Sequence, residues 1–507
     1  MAQETIVSRF TLKGREILSS YAAYTIEGVM TARVKRGKKD TWTIKERNGI
    51  AKGTSDGENE AIYIPNDRAI KSIEKNILPL LPKKVTIKKP ADIIRAVEDF
   101  DLKLVEKAGP NKKKWGGNAC LASSTVFFQT LLHASGYKPW QLLAPKVFKT
   151  FNMPNIAFNM VCGGEHVPGT RQDIQEMFFL AMKEKSIKNV FSTAIKFFKQ
   201  FEKNLVRDGL PTGTAKERGF VFPVKDNYEG LKRIQECAKQ VGLKTGDYAI
   251  GTDNAFSEIQ KTEKLRKQGK YDMRFSGMGI KTRKQLIEFN AKIVKSADNF
   301  VTMEDPGSEC DIEAHRMMNE KYGHRVQIVI DDAAVTQMRF IIPFLAAPKR
   351  KDRAGNSVLI KLNQAGTFTE TCLASEIVLG LADVKRVEKF LIARKDLNKV
   401  LKELKGLGVN SLEEAILNIK DIDCSAFFSH RSTEGSSEFL PLMPLIYGSV
   451  TNKIWFKAGA PNGERNLQNY NPLIRAEEEI RAAKIKTEVA GFGGLPDGVK
   501  IPVLEKG

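Results

Sequence analysis

Residues 299–306 read NFVTMEDP, and residues 326–332 read VQIVIDD. Each is a short apolar run that stops abruptly at carboxylates, Glu304 in the first and Asp331 in the second. A continuous β-branched run fits a strand buried on both faces, and such strands belong to parallel sheets covered by helices. The pattern returns upstream in DYAIGTD, which ends at Asp253. Downstream it returns in SVLIKLN, with Lys361, and in CSAFFSHRS, with His430, Arg431 and Ser432. The steps from Glu304 to Asp331 and on to Lys361 suit one strand–helix–strand unit, which needs about 30 residues. Successive strands that aim charge from one end predict the working face of a β/α barrel.

A chain of 507 residues exceeds what one core usually serves, so two domains are expected. The hydrophobic fraction of 42% and charged fraction of 28% are those of a soluble globular protein. No apolar run approaches the ~18 residues of a membrane helix, so no membrane insertion is expected. The opening MAQETIVSRF has no apolar signal core, which makes the cytoplasm the expected location. Cys120, Cys162, Cys237, Cys310, Cys372 and Cys424 form no C-x-x-C pair, which argues against zinc sites and a disulfide framework. A net charge of +21 exceeds what a small anionic substrate requires. It raises an acidic macromolecular partner, nucleic acid or cytoskeleton, as a second line of function.

Residues 1–150 are expected to form an α+β domain. Short β-like runs lead into a mobile loop at Lys52–Glu60, and helical spacing follows at Asp67–Pro82, Pro90–Ala108 and Gly117–Ser135. Residues 151–488 are expected to form the barrel, including a helix from about Gln172 to Glu202 and a loop bearing Glu217. The lysine-rich stretch at about 393–422 exceeds the needs of one βα unit and reads as a surface insertion, solvated or partner-binding. Residues 489–507 are rich in Gly and Pro and read as a tail.

Asp253, Glu304 and Asp331, delivered by different strand ends without cysteine, make a hard oxygen-ligand set suited to Mg²⁺. With Lys361 and the SHRS cations on the next strands, the site suits an anionic, phosphorylated substrate.

The stretches KGTSDGENEAI, FNMVCGGEHVPGTRQDIQE, KERGFVFP, GTDNAFSE, EDP, IVIDD, LIKLNQAGTFTET, SHRSTEGSSEF and KAGAPNGERNLQNYNPLIRAEEEI occur in an order and wording that resemble the enolase family. The resemblance spans about residues 5 to 485 and rests most on LNQAGTFTET and SHRS. It implies an α/β fold, a modified β/α (TIM-like) barrel with an N-terminal α+β lid domain. It implies conversion of 2-phosphoglycerate to phosphoenolpyruvate and water with two Mg²⁺. By position, Asp253, Glu304 and Asp331 would hold the first ion, and Ser55 would join the second. Lys361 would be the base and Glu217 the acid. His166, Glu176, His430, Arg431, Ser432 and Lys457 would surround the substrate, which Glu304 and Asp331 also approach.

The chain departs from the family around these positions. Lys216 and Arg218 flank Glu217, and two cations turned inward would lower its pKa. SSYAAYTIEG stands where the family has an Arg-Gly-Asn-Pro turn, a change that bears on the family's homodimer. These departures and the charge carry the alternative reading, an enolase-like scaffold of weak or absent activity.

Overall fold

The computed structural model describes residues 4–20, 22–37, 40–51, 59–145, 148–167, 169–431 and 439–502. Strands β1 (Thr5–Leu18), β2 (Tyr24–Arg36) and β3 (Asp40–Gly49) form an antiparallel meander. β4 (Lys84–Ile87) joins the other side of β1, giving the order β3-β2-β1-β4. The helices Pro90–Ala108 and Gly117–Ser135 pack on this sheet, and both lie where the sequence periodicity put them. Pro90 sits at the first turn of its helix, where its missing N–H costs nothing, and Asp92 accepts from the Lys88 and Lys89 backbone amides. Gly117–Ser135 is buried almost all round. Its close approach to β2 depends on Gly28, where a Cβ would lie 2.6 Å from the Ala122 carbonyl oxygen.

β5 (Thr150–Met153) precedes the barrel, which begins with β6 (Asn155–Cys162), β7 (Glu176–Ala181) and β8 (Tyr248–Asp253). A small hairpin of β9 (Lys270–Met273) and β10 (Gly279–Thr282) lies outside it. The wall continues through β11 (Phe300–Glu304), β12 (Gln327–Ile330), β13 (Ser357–Ile360), β14 (Ser425–Ser429) and β15 (Ile454–Lys457), and β15 closes onto β6. Every residue of the eight wall strands is buried, which is why their sequences run apolar instead of alternating. Seven strands are parallel, and β7 runs antiparallel to both neighbours. The helix expected from Gln172 is therefore corrected: Glu176–Ala181 is this reversed strand, and the helix runs over Ile187–Arg207. EMFFLA is six residues, too short for periodicity to separate a buried strand from a buried helix. Ser186, whose side chain caps the Asn189 amide, marks the true helix start.

Two further expectations are revised. The Gly/Pro-rich stretch after residue 488 does not trail away over its described residues. β16 (Lys486–Val489) pairs with β5, and Gly491 exchanges two hydrogen bonds with the Asn155 side chain. Trp455 Nε1 donates to the Gly494 carbonyl, and Leu495 and Ile501 bury themselves against barrel-interior residues such as Phe178, Leu359 and Trp455. The segment plugs the barrel at the N-terminal ends of its strands. The lysine-rich surplus, read at 393–422, is three helices, Val384–Arg394, Leu397–Gly406 and Leu412–Ile422. Their apolar faces, among them Phe390, Leu391, Val400, Leu404 and Ile419, are buried against the helices Met338–Leu345 and Phe368–Val378 and the N-terminal helix Pro90–Ala108. The lysines occupy the outer face. All six cysteines are free thiols. Among the described residues, no helix is long and apolar enough to cross a membrane.

Candidate active site

The parallel strands converge their C-terminal ends on one cavity of about 390 Å³. Asp253 closes β8 and Glu304 closes β11, while Asp331, Lys361 and His430 each stand one residue past the end of β12, β13 and β14. Lys457 closes β15. Because β7 is reversed, its first residue, Glu176, faces the same end. His166, Glu176, Glu217, Asp253, Asp331, Lys361, His430, Arg431 and Lys457 all line the cavity. Ser55 and Ser432 lie outside the described residues.

Lys457 is the centre of the buried charge. Its Nζ donates to Asp253 Oδ2 and to Glu304 Oε2, each at 2.8 Å, and lies 3.1 Å from Glu176 Oε2. Burial works against the ammonium, but the carboxylates Asp253, Glu176 and Glu304 outweigh it and hold Lys457 charged, well above the ordinary lysine range. Glu304 is pushed well above the usual carboxylate range, first by burial and then by the Asp253 charge. Its second oxygen, Oε1, is buried without a hydrogen-bond partner. A buried, unpartnered carboxylate oxygen fits an oxygen-ligand cation site, and at this end the acids whose ligand atoms lie within 4.8 Å of one another are Asp305, Asp331 and Asp332.

Lys361 Nζ bonds Asp331 Oδ2, and the Gln364 side-chain amide donates to Asp331 Oδ1 at 3.0 Å. Burial, Arg431 and Lys457 lower the Lys361 pKa, but Asp331, with help from Glu304, outweighs them and the group stands raised. The contact with Asp331 thus decides the direction.

Glu176 and Glu217 lie side by side, with His166 near enough that one atom from each falls within 4.8 Å of the others. Burial, followed by the Glu217 charge, pushes Glu176 well above the usual range. Burial also opposes ionisation of Glu217, but His430, the hydrogen bond from Glu176 and His166 hold it well below. The pair thus keeps one proton between two carboxylates. His430 Nε2 lies 3.3 Å from Glu217 Oε2, and burial lowers that imidazole to about 4. The expected effect of the flanking cations differs in kind. Lys216 lines the cavity, Arg218 is exposed and lies against Gly463, and His430 with Glu176 does most to hold Glu217 down.

Four supporting residues escaped the sequence reading. Asp305 accepts the backbone amides of Asp331 at 2.9 Å and Asp332 at 3.0 Å, which fixes the turn that carries Asp331. Gln364 holds Asp331, as above. Glu60 lies 3.2 Å from Arg431, and Arg465 reaches His430 Nδ1 at 3.2 Å. Asp305 and Gln364 sit inside the motifs EDP and LNQ and were legible there. Glu60 and Arg465 also lie inside quoted stretches, KGTSDGENEAI and KAGAPNGERN, but their partners lie far away in the chain and only the structure pairs them.

Fold and site together define a β/α-barrel protein with a cation-ready carboxylate cluster and a lysine at the C-terminal ends of its strands. Residues 150–382 match the family description "Enolase, C-terminal TIM barrel domain". Enolases from two strains of Lactobacillus delbrueckii subsp. bulgaricus are each 28% identical to the chain over 478 residues, covering 92% of it and 94% of the relative. The chain is thus similar to enolases over most of its length, and much of its barrel matches the C-terminal domain of that family.

Proposed function

We propose that this chain dehydrates 2-phosphoglycerate to phosphoenolpyruvate with the help of Mg²⁺. The observation that carries the reading is a single cavity joining Lys361, the paired Glu176 and Glu217, Asp253, Asp331 and the cations Arg431 and Lys457, with Glu304 bonded to Lys457 behind its wall. Lys361 must first lose the proton that its contact with Asp331 favours; it then takes the proton from the carbon that bears the phosphate and becomes the ammonium again. The proton held between Glu176 and Glu217 passes through Glu217 to the hydroxyl on the neighbouring carbon, which departs as water. His166 and His430 flank that acid, and Arg431 meets the phosphate. Bound at Asp253, Glu304 and Asp331, Mg²⁺ would supply positive charge beside the substrate carboxylate and compete with Lys361 for Asp331. Lys457, charged and buried, adds a fixed cation where negative charge develops.

The test is formation of phosphoenolpyruvate by the purified chain with Mg²⁺, run beside Lys361→Ala. Turnover that disappears in the variant and with chelator supports the reading, and a wild-type chain that does not turn over substrate overturns it. The net charge of +21 favours a second reading, in which the basic surface holds an acidic macromolecule in addition to or in place of catalysis. Salt-dependent retention on a polyanion such as heparin would support that reading, and elution at low salt would remove it.

A further inference from the structure

The helices from Val384 to Ile422 begin just past residue 382, where the family match ends, and they carry two buried charges, Arg394 and Asp396, into the seam between the two domains. On the barrel side of that seam, Glu370 receives Lys112 Nζ at 2.6 Å and Arg394 Nη1 at 2.5 Å on one oxygen, while Thr367 Oγ1 donates to the other at 2.7 Å. Lys112, from the N-terminal domain, also donates to the Ala365 carbonyl at 2.8 Å. Arg394 Nε simultaneously donates to Asp396 at 2.9 Å, and Asp396 lies 3.7 Å from Arg339. Arg339 in turn donates to Asn59 Oδ1 at 3.1 Å.

Arg394 therefore links two of the places where the N-terminal domain is fastened to the rest of the chain, at Lys112 and, through Asp396 and Arg339, at Asn59. Between them, the Ala61 amide donates at 3.0 Å to the carbonyl of Gln364, whose side chain holds Asp331. The geometry points to Arg394 as a positioning residue: its planar fork fixes Glu370 and Asp396 together, and so holds the Asn59–Ala61 stretch on the Leu362–Ala365 turn that follows Lys361. An ammonium in its place is a point charge with freely turning donors, whereas the guanidinium's fixed planar donors set the separation and orientation of both carboxylates. The helices from Val384 to Ile422 thus act on the site from behind. The structural arm of this inference stands alone, and its kinetic arm rests on the activity proposed above.

The experiment is hydrogen exchange of the full-length chain, read by mass spectrometry, on peptides covering residues 59–64 and 361–367 in wild type, Arg394→Met and Arg394→Lys. Exchange in both peptides is expected to quicken about ten-fold or more in Arg394→Met and less in Arg394→Lys, with the β11 and β14 peptides unchanged. Turnover by Arg394→Met should fall about ten- to a hundred-fold in kcat with KM within about three-fold of wild type. Unchanged exchange in both peptides, or equal acceleration in the barrel strands, would overturn the proposal by making Arg394 an ordinary stabiliser. If Arg394→Met does not fold, the same comparison in Arg394→Lys decides. A wild-type chain without turnover would remove the functional reading and leave the exchange result intact.

Discussion

Lys457 shows at the scale of one residue how the site is held before any cation arrives. Its ammonium is the shared partner of Glu176, Asp253 and Glu304, and all four groups are buried. Lys457→Met should cost about 3–5 kcal/mol of stability, because it leaves like charges buried without their counter-ion. The check is the thermal midpoint in chelator, and part of the loss should return when Mg²⁺ is added. Lys361→Ala and Glu217→Gln should each lower kcat by roughly 10²–10⁴, the range of a positioned acid or base, while the fold persists by circular dichroism. His315 is a residue of a different kind, remote from the cavity and fully buried in the helix Ile312–Tyr322. Burial lowers its imidazole to about 4 against the pull of Asp311. The unfolded chain therefore binds more protons between the ordinary value near 6.5 and 4. Stability is complete above that window and falls through it on acidification, by about 3 kcal/mol from this group. In His315→Gln that part of the acid slope should be missing from midpoints measured across the window, and an unchanged slope would rule the assignment out.

Among the elements, β7 and the C-terminal plug show where local sequence stops being informative. β7 is as apolar as its neighbours, and its direction depends on the connection from β6, which turns back through Gly163 and Gly164 and forms no α-helix among its described residues. The plug reads as low-complexity chain because Gly and Pro dominate it, yet Leu495 and Ile501 are its anchors inside the barrel. Leu495→Ala should destabilise the chain by about 2–5 kcal/mol through the cavity it leaves. Because the plug lies at the end opposite the carboxylates, turnover at 25 °C should stay within two-fold of wild type, roughly the effect of a surface change. A large loss of kcat without loss of stability would contradict that placement.

The whole molecule sets acidic groups close together in a chain of strongly positive net charge. A ligand that binds only the folded chain should raise its stability by RT ln(1 + [L]/Kd), about 2.7 kcal/mol at a hundred-fold excess over Kd. Mg²⁺ should thus raise the thermal midpoint of wild type and fail to raise that of Asp253→Asn with Glu304→Gln. Equal shifts in both would place the cation elsewhere.

The barrel and most of its site were legible from the chain alone. The strands β8, β11, β12, β13 and β14 announce themselves by short apolar runs, and the charge that ends each run is the last strand residue or the next one, so the sequence determined both the strand and what it delivers. Only the tertiary structure decided the reversal of β7, the plug, the seating of Lys457 among three acids, and the meeting of Lys112 with Glu370 across 258 positions of chain. Those outcomes depend on which distant segments share a buried space. No local pattern encodes that, since the energy of a buried charge is settled by its neighbours in three dimensions.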